Sequence, residues 1–338
     1  MTPKLSICIP TFNRAQYLLE CLNSVLPQAI KYQNVEVIIT DNASEDNTRQ
    51  IVAELMQNYS FLRYYRNENN LGYTGNQIKC IEYAAGQYMA LLCDDDAYTK
   101  GTCEEIFKVI DNNVEYAFIA LNYYSFLNKI EVTYKTNFAP DHDVLFNRAY
   151  DIMNYPSVGH FSGFILNTKI AKETLAKILQ NQSFEKYERL RGIIGDIVIR
   201  GLLSSDLPAY FIGKRTLAAR MPKTVDYDTL YHLCLDSYEY FINLYNNGLI
   251  TKKDLEYRSA LVLGRLPRAI ISDGSKLSKK ELHRVTEQLS AWFKGNRRFD
   301  RICLPLLKAV KYSIIRFLFR NFTRIFRYSK SLKYRLVS

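Results

Sequence analysis

An α/β protein is predicted, with a largely parallel sheet first and a helical region after it. Three observations carry this. Over the first part of the chain, short β-branched apolar runs alternate with amphipathic stretches at roughly 30-residue spacing, which implies right-handed βαβ units. Three of the apolar runs end in polar loops, PTFNR, DNASEDNT and CDDDA. Their tips belong on one edge of the sheet, where ligands of open α/β sheets collect. From about Asp226 the pattern shifts to helical periods.

The elements follow in order. Residues 4–10 (KLSICIP) read as a buried strand, and 15–29 as an amphipathic helix after a polar turn. Residues 35–40 (VEVIIT) form a second strand. The loop after it is rich in turn formers and helix caps, and a helix runs on to about Tyr59. Residues 61–66 are a third strand. The next helix is stopped by Gly86, and 88–92 form a fourth strand. A helix over 99–111 and strands over 116–122, 129–135 and 162–166 come next. Residues 138–154 have no clear period and read as an acceptor-facing loop. Residues 189–205 are helical. Helices over 229–246, 252–272 and 278–293 follow, broken by Gly248, Gly274 and Gly295.

The fourth strand runs straight into Asp94, Asp95 and Asp96. Three adjacent like charges repel. A bound Mg²⁺ or Mn²⁺ is the simplest compensation, since both ions suit carboxylate oxygens. The plain alternative is a solvated acidic turn that caps the next helix.

Composition narrows the class. With 48% hydrophobic and 23% charged residues, the 338-residue chain is ordinary globular material. Its seven cysteines are scattered with no CxxC pair, which fits buried free thiols better than a disulfide framework or a zinc site. No signal peptide or membrane-spanning run is expected. The net charge of +11 is concentrated. Residues 301–338 hold ten Lys or Arg and no acid, leaving 35 basic and 34 acidic groups in the rest. A nearly neutral body argues against nucleic acid as a partner. In the tail, Arg316, Arg320, Arg324 and Arg327 share one helical face. Leu307, Ile314, Phe317, Leu318, Phe322, Ile325 and Phe326 share the other. Such a helix lies on an anionic membrane surface, or else packs its apolar face on protein.

Four motifs in order carry a resemblance: Pro10-Thr11-Phe12-Asn13-Arg14; Asp41 to Thr48; Asn70-Leu71-Gly72 with Asn76; and Cys93-Asp94-Asp95-Asp96. Over about residues 4–220 the chain resembles the family 2 glycosyltransferases, which have the Rossmann-like GT-A nucleotide-sugar-binding fold. One departure is Cys93, where the family commonly has Asp. Two alignments follow: Asp95 with Asp96 as the metal pair, which is favoured, or Asp94 with Asp96.

The resemblance implies roles. Pro10, Thr11 and Asn13 would line the base and ribose. Asp41 would accept from the base, favouring a pyrimidine, and Asn76 and Asp94 would complete the donor site. Gly72 would let the backbone come close. Asp196 corresponds to the family's general base, although Gly195 replaces the Glu that commonly precedes it. The residues alone support this, because Asp196 stands among Ile193, Ile194, Ile197, Val198 and Ile199, and a buried lone carboxylate is a base candidate. The alternative is an i,i+4 pair with Arg200. Arg220 would face the diphosphate, while Pro222 stands where the family often has His. His160 reads more simply as a packed residue than as a catalyst.

The implied protein is an inverting, metal-dependent glycosyltransferase of surface polysaccharide (O-antigen or capsule) synthesis. It would sit peripherally on the cytoplasmic membrane face and act on a glycan or lipid-linked acceptor. Its domains would be 1–225 (GT-A), 226–300 (helical) and 301–338 (membrane-associating). A nucleotidyltransferase would want glycines in the first loop, which PTFNR lacks. A catalytically inactive glycan-binding scaffold is the other reading.

Overall fold

The computed structural model describes residues 2–128, 130, 133–136, 140–155, 158, 160–181, 193–221, 238–273 and 279–309. The chain divides into two compact units, Met1–Lys223 and Thr224–Ser338.

In the first unit, β1 (Leu5–Thr11), β2 (Val35–Asp41), β3 (Leu62–Arg66) and β4 (Tyr88–Leu91) alternate with α1 (Ala15–Ala29), α2 (Thr48–Met56) and α3 (Gly72–Tyr83). β1 is buried along nearly its whole length because both faces are covered, which is why it reads as an unbroken apolar run. The order β3-β2-β1-β4 is parallel throughout, as expected for βαβ units. α1 buries Leu18, Cys21, Leu22, Val25 and Leu26 against this half of the sheet, in one core with Leu5, Ile7, Ile9, Val37 and Ile39. Burying each such side chain stabilises by about 1.5–3 kcal/mol. Gly86 precedes β4 where a Cβ would lie 2.7 Å from the Ser6 backbone nitrogen, so a larger residue would push β4 off β1.

Beyond β4 the sheet is mixed, not largely parallel. β5 (Ala97–Tyr98), α4 (Thr102–Ile110), β6 (Phe118–Phe126), β7 (Thr133–Thr136) and β8 (Val144–Phe146) follow. Then come β9 (Phe164–Asn167), α5 (Thr168–Asn181), α6 (Ile194–Leu203) and β10 (Ala209–Arg220). β9 inserts antiparallel between β4 and β6, and the long β10 runs parallel to β6. β8 lies inside the stretch read as an acceptor-facing loop and pairs antiparallel with β10. α6 ends at Leu203, two residues before the expected end at Ser205, and positions 189–192 of that expected helix lie outside the described residues.

The second unit is helical: α7 (238–246), α8 (Lys252–Asp273), α9 (Lys279–Trp292), a wide turn over Phe299–Cys303 and α10 (Leu304–Ala309). Gly248 and Gly295 break the helices with φ of 69° and 78°, values that cost glycine little. Tyr238, Leu263, Leu266, Leu289, Phe293 and Phe299 form its core, with Tyr238 stacked on Phe293 at 4.8 Å. Leu307, read on the apolar face of the tail, is fully buried in this core, so at this position the face packs on protein. Residues 310–338, including the arginine face, lie outside the described residues, as do positions 229–237 of the expected helix and Gly274.

Candidate active site

Because β2, β1 and β4 are adjacent and parallel, their carboxyl ends share one edge. In-register pairing of Pro10 with Thr40 and Thr11 with Asp41 sets the first two polar loops side by side. Two non-glycine residues in these loops, Asn13 (φ 52°) and Ala43 (φ 66°), adopt left-handed backbone. Such strain persists only where surrounding contacts enforce it. Here Asn13 N–H donates to Ser44 Oγ (2.9 Å) and Asn13 Oδ1 accepts from Glu45 N–H (2.8 Å). Asp46 accepts from Ala15 N–H (3.0 Å) and Thr48 N–H (3.1 Å), serving the first turns of both α1 and α2. That frees Asp41 from any capping duty toward α2.

Asp41 is fully buried. Its Oδ1 accepts from Ser44 N–H (2.9 Å) and its Oδ2 from the Tyr64 hydroxyl (2.5 Å), with Arg66 Nε 3.7 Å away. Burial and the bond to Asp41 hold the Tyr64 hydroxyl above its ordinary range. Asn76 is buried beneath the strand ends. It donates to Thr40 O (2.9 Å) and Thr11 O (3.4 Å) and accepts from Asn67 Nδ2 (3.1 Å). Its amide therefore braces the loops from below. Gly72, with φ of 71°, opens α3 and passes its carbonyl to Asn42 Nδ2 (3.2 Å). Phe12 is 41% exposed between buried Thr11 and strained Asn13; pattern reasoning gave its side chain no role, since an apolar residue in a polar loop carries no periodic signal.

The three acidic residues differ sharply. Asp94 is buried, with Oδ2 accepting from Thr11 Oγ1 (2.7 Å) and Oδ1 from Arg14 (3.1 Å). Burial pushes its carboxyl up to about 6, against the pull of Thr11 and Arg14. Asp95 is partly open and meets Arg14 at 3.2 Å. Its carboxyl is raised by burial and by the charge of Asp96. Asp96 is buried and accepts from Arg220 N–H (2.7 Å), His160 Nε2 (2.6 Å) and Ser162 Oγ (2.5 Å). Burial pulls the His160 imidazole down, but the bond to Asp96 and the charges of Asp96 and Asp95 outweigh it and raise it. Cys93, Asp95 and Asp96 offer ligand atoms all within 4.8 Å of one another. Two carboxylates and a thiol fit a divalent cation, with Mn²⁺ more tolerant of the sulfur than Mg²⁺.

Arg220, the last residue of β10, is heavily engaged. Its guanidinium donates to the Asp95 carbonyl (2.9 Å) and to Glu20 (2.5 Å), between the rings of Tyr17 (5.0 Å) and Phe126 (4.5 Å). Asp196, in the first turn of α6, is buried but not lone: Arg200 Nε meets its Oδ1 at 2.7 Å. The structure thus gathers Thr11, Asp94, Asp95, Asp96 and Arg220 into one network, with Arg14, His160 and Ser162 added. Asp41 and Asn76 sit in the bracing of the neighbouring loops. Asp196 stands on its own helix.

Residues 6–174 match the model of glycosyl transferase family 2. The chain belongs to that family. This family 2 chain is 36% identical over 112 residues to the abequosyltransferase RfbV of Salmonella typhimurium, covering 33% of the chain and 34% of that protein. It is 30% identical over 117 residues to the Campylobacter jejuni GalNAc(5)-diNAcBac-PP-undecaprenol beta-1,3-glucosyltransferase, covering 34% of the chain and 37% of that protein. The match thus spans about a third of these curated relatives. Among solved structures, Staphylococcus aureus TarS 1-349 in complex with UDP superposes with a TM-score of 0.64 at 18% identity, covering 95% of this chain and 91% of that one. The mannosyltransferase PcManGT of Pyrobaculum calidifontis, in complex with GDP-Man and Mn²⁺, gives 0.51 at 13% identity, covering 92% and 86%. These likenesses establish the GT-A fold.

Proposed function

We propose that the chain transfers a sugar from a nucleotide-sugar donor to a glycan acceptor, with inversion, in surface polysaccharide synthesis. The observation that carries this reading is the convergence of Asp94, Asp95 and Asp96 with the first polar loop at the sheet edge. Asp95 and Asp96 are the metal pair in this reading, Asp95 because it is the more open and Asp96 because donors orient it. When bound, Mg²⁺ or Mn²⁺ would neutralise charge on the diphosphate leaving group. Asp94 holds Thr11 and Arg14 in place beside the donor. Pro10, Thr11 and Asn13 line the base and ribose, with Phe12 as a stacking face.

Asp41 selects the base, favouring a pyrimidine, once the Tyr64 hydroxyl gives way. Asn76 supports donor binding through the loops it braces. Arg220 serves the diphosphate indirectly, by fixing the backbone of the acidic loop. Asp196 takes the proton of the acceptor hydroxyl as that oxygen attacks the anomeric carbon from the face opposite the leaving group. A single displacement inverts the centre.

The acceptor in this reading is lipid-linked. Support comes from the undecaprenol-linked substrate named for the Campylobacter relative and from the basic tail. Among the described residues no helix is long and apolar enough to cross a membrane. We assign the chain a peripheral place on the cytoplasmic membrane face, held by residues 310–338, with residues 1–225 as catalytic domain and the helices after them as a second domain. The Asp196–Arg200 pair favours one competing reading, an inactive glycan-binding protein, because a neutralised carboxylate is a poorer base.

The test is nucleotide release from a panel of UDP-, CDP-, GDP- and dTDP-sugars with polyprenyl-diphosphate-linked acceptors. Release with one donor class, reduced about 10²-fold or more in Asp196→Asn with donor affinity kept, supports the enzyme. Donor binding without release from any pair supports the inactive protein.

A further inference from the structure

Asp96 is gripped by three donors from two distant stretches of chain. The Arg220 N–H donates to Oδ1 at 2.7 Å, and His160 Nε2 (2.6 Å) and Ser162 Oγ (2.5 Å) both reach Oδ2. A carboxylate offers about four acceptor positions and no donor. His160 Nε2 therefore carries the proton in this bond. Three of the acceptor positions are filled, and the open one is on Oδ1. One oxygen is tied down and the other keeps a single acceptor position, a state suited to monodentate ligation.

The sheet explains why the histidine reaches this point. β9 pairs antiparallel with β4, Tyr88 opposite Asn167 and Ala90 opposite Ile165. Carried beyond the ladder, that register sets Ser162 opposite Cys93, where Cys93 N–H donates to Ser162 Oγ at 2.9 Å. The same run brings His160 to the acidic loop. Ser162 therefore has two duties, and its loss would disturb the loop backbone. His160 lies against the Tyr123 ring, with centroids 5.2 Å apart, and directs Nε2 at Asp96.

We propose that His160 is a positioning residue: its Nε2–H fixes the Asp96 carboxylate in the orientation that ligates the divalent cation. The proposal rests on the reading of Asp95 and Asp96 as the metal pair. Outer-shell partners of this kind are worth about 10–100-fold in metal affinity.

The experiment titrates Mn²⁺ alone into the full chain and reads free Mn²⁺ by electron paramagnetic resonance, with no substrate and no turnover. Wild type is compared with His160→Phe, which keeps a ring against Tyr123 and removes the donor, and with His160→Gln, which restores an N–H. The expected result is Mn²⁺ binding weakened about tenfold or more in the Phe variant and within about threefold of wild type in the Gln variant. Melting of the metal-free proteins separates packing from orientation. An unchanged Tm with weakened Mn²⁺ binding supports the proposal, and a lowered Tm with unchanged Mn²⁺ binding overturns it. Equal weakening in Phe and Gln variants also overturns it, since the N–H would then be irrelevant. No Mn²⁺ binding by wild type overturns the metal reading itself, whereas tight wild-type binding matched by the Phe variant overturns His160 alone.

Discussion

Asp94 spends its side chain on Thr11 and Arg14 while burial pushes its carboxyl up to about 6. An acid whose pKa rises on folding binds more protons in the native state. Its contribution to stability is present below the ordinary carboxylate range and is lost as pH rises through about 6. At about 1.4 kcal/mol per unit, the loss is on the order of 3 kcal/mol. A cation at this loop opposes that loss, because it favours the charged form of Asp94 and of Asp95, whose carboxyl is raised as well. The Mn²⁺-induced rise in Tm is therefore expected to grow from pH 5 to pH 7.5. A rise that is flat across this window would uncouple these carboxyls from the metal. At this scale the sequence named candidate residues but few of their partners. For Asp196 the i,i+4 spacing offered Arg200 as a partner beside the reading of a lone carboxylate, and the 2.7 Å bond in α6 is that pair. His160 carried no signal of its own, since its target, Asp96, is far away in sequence.

Among the elements, the end of β10 is fastened to α1 through Arg220, which joins Glu20, Tyr17, Phe126 and the Asp95 carbonyl. Lysine has neither the planar fork nor the Nε donor. Arg220→Lys is expected to raise the donor KM and to cost about 1–3 kcal/mol of stability, read by steady-state kinetics and urea melts. A normal KM in a destabilised variant would make Arg220 a packing residue only. The parallel half of the sheet was legible because each buried strand is followed by an amphipathic helix, and that alternation dictates crossover connections. The mixed half was not. Short apolar runs such as β9 do not encode the direction of their partners, and β8 is a three-residue strand inside an aperiodic stretch. The antiparallel insertion of β9 is what brings Ser162 and His160 to the acidic loop.

At the scale of the whole molecule, charge is divided between a nearly neutral body and a tail with ten basic residues and no acid. Leu307 shows that the first turns of the tail belong to the helical core. The lipid contact proposed for the rest is electrostatic in large part. Full-length protein is expected to co-sediment with vesicles containing anionic lipid at low salt, to release as salt rises, and to ignore neutral vesicles. Binding to neutral and anionic vesicles alike would point to an apolar anchor instead. The change of hydrophobic period near Asp226 lies close to the boundary between the two compact units at Lys223, whereas the extent of the helical core was not legible, because a helix that packs and a helix that lies on lipid share one amphipathic pattern.

In the proposed function the acidic loop after β4 holds a cation that ties a nucleoside diphosphate to the sheet edge. Calorimetric titration of UDP, CDP, GDP and dTDP, with and without Mn²⁺, on wild type and Asp95→Asn, tests it most directly. One nucleotide is expected to bind at least about tenfold tighter with Mn²⁺, a gain of about 1.4 kcal/mol, and Asp95→Asn is expected to erase the gain while leaving metal-free binding intact. Nucleotide affinity that is the same with and without Mn²⁺, in both proteins, would contradict it.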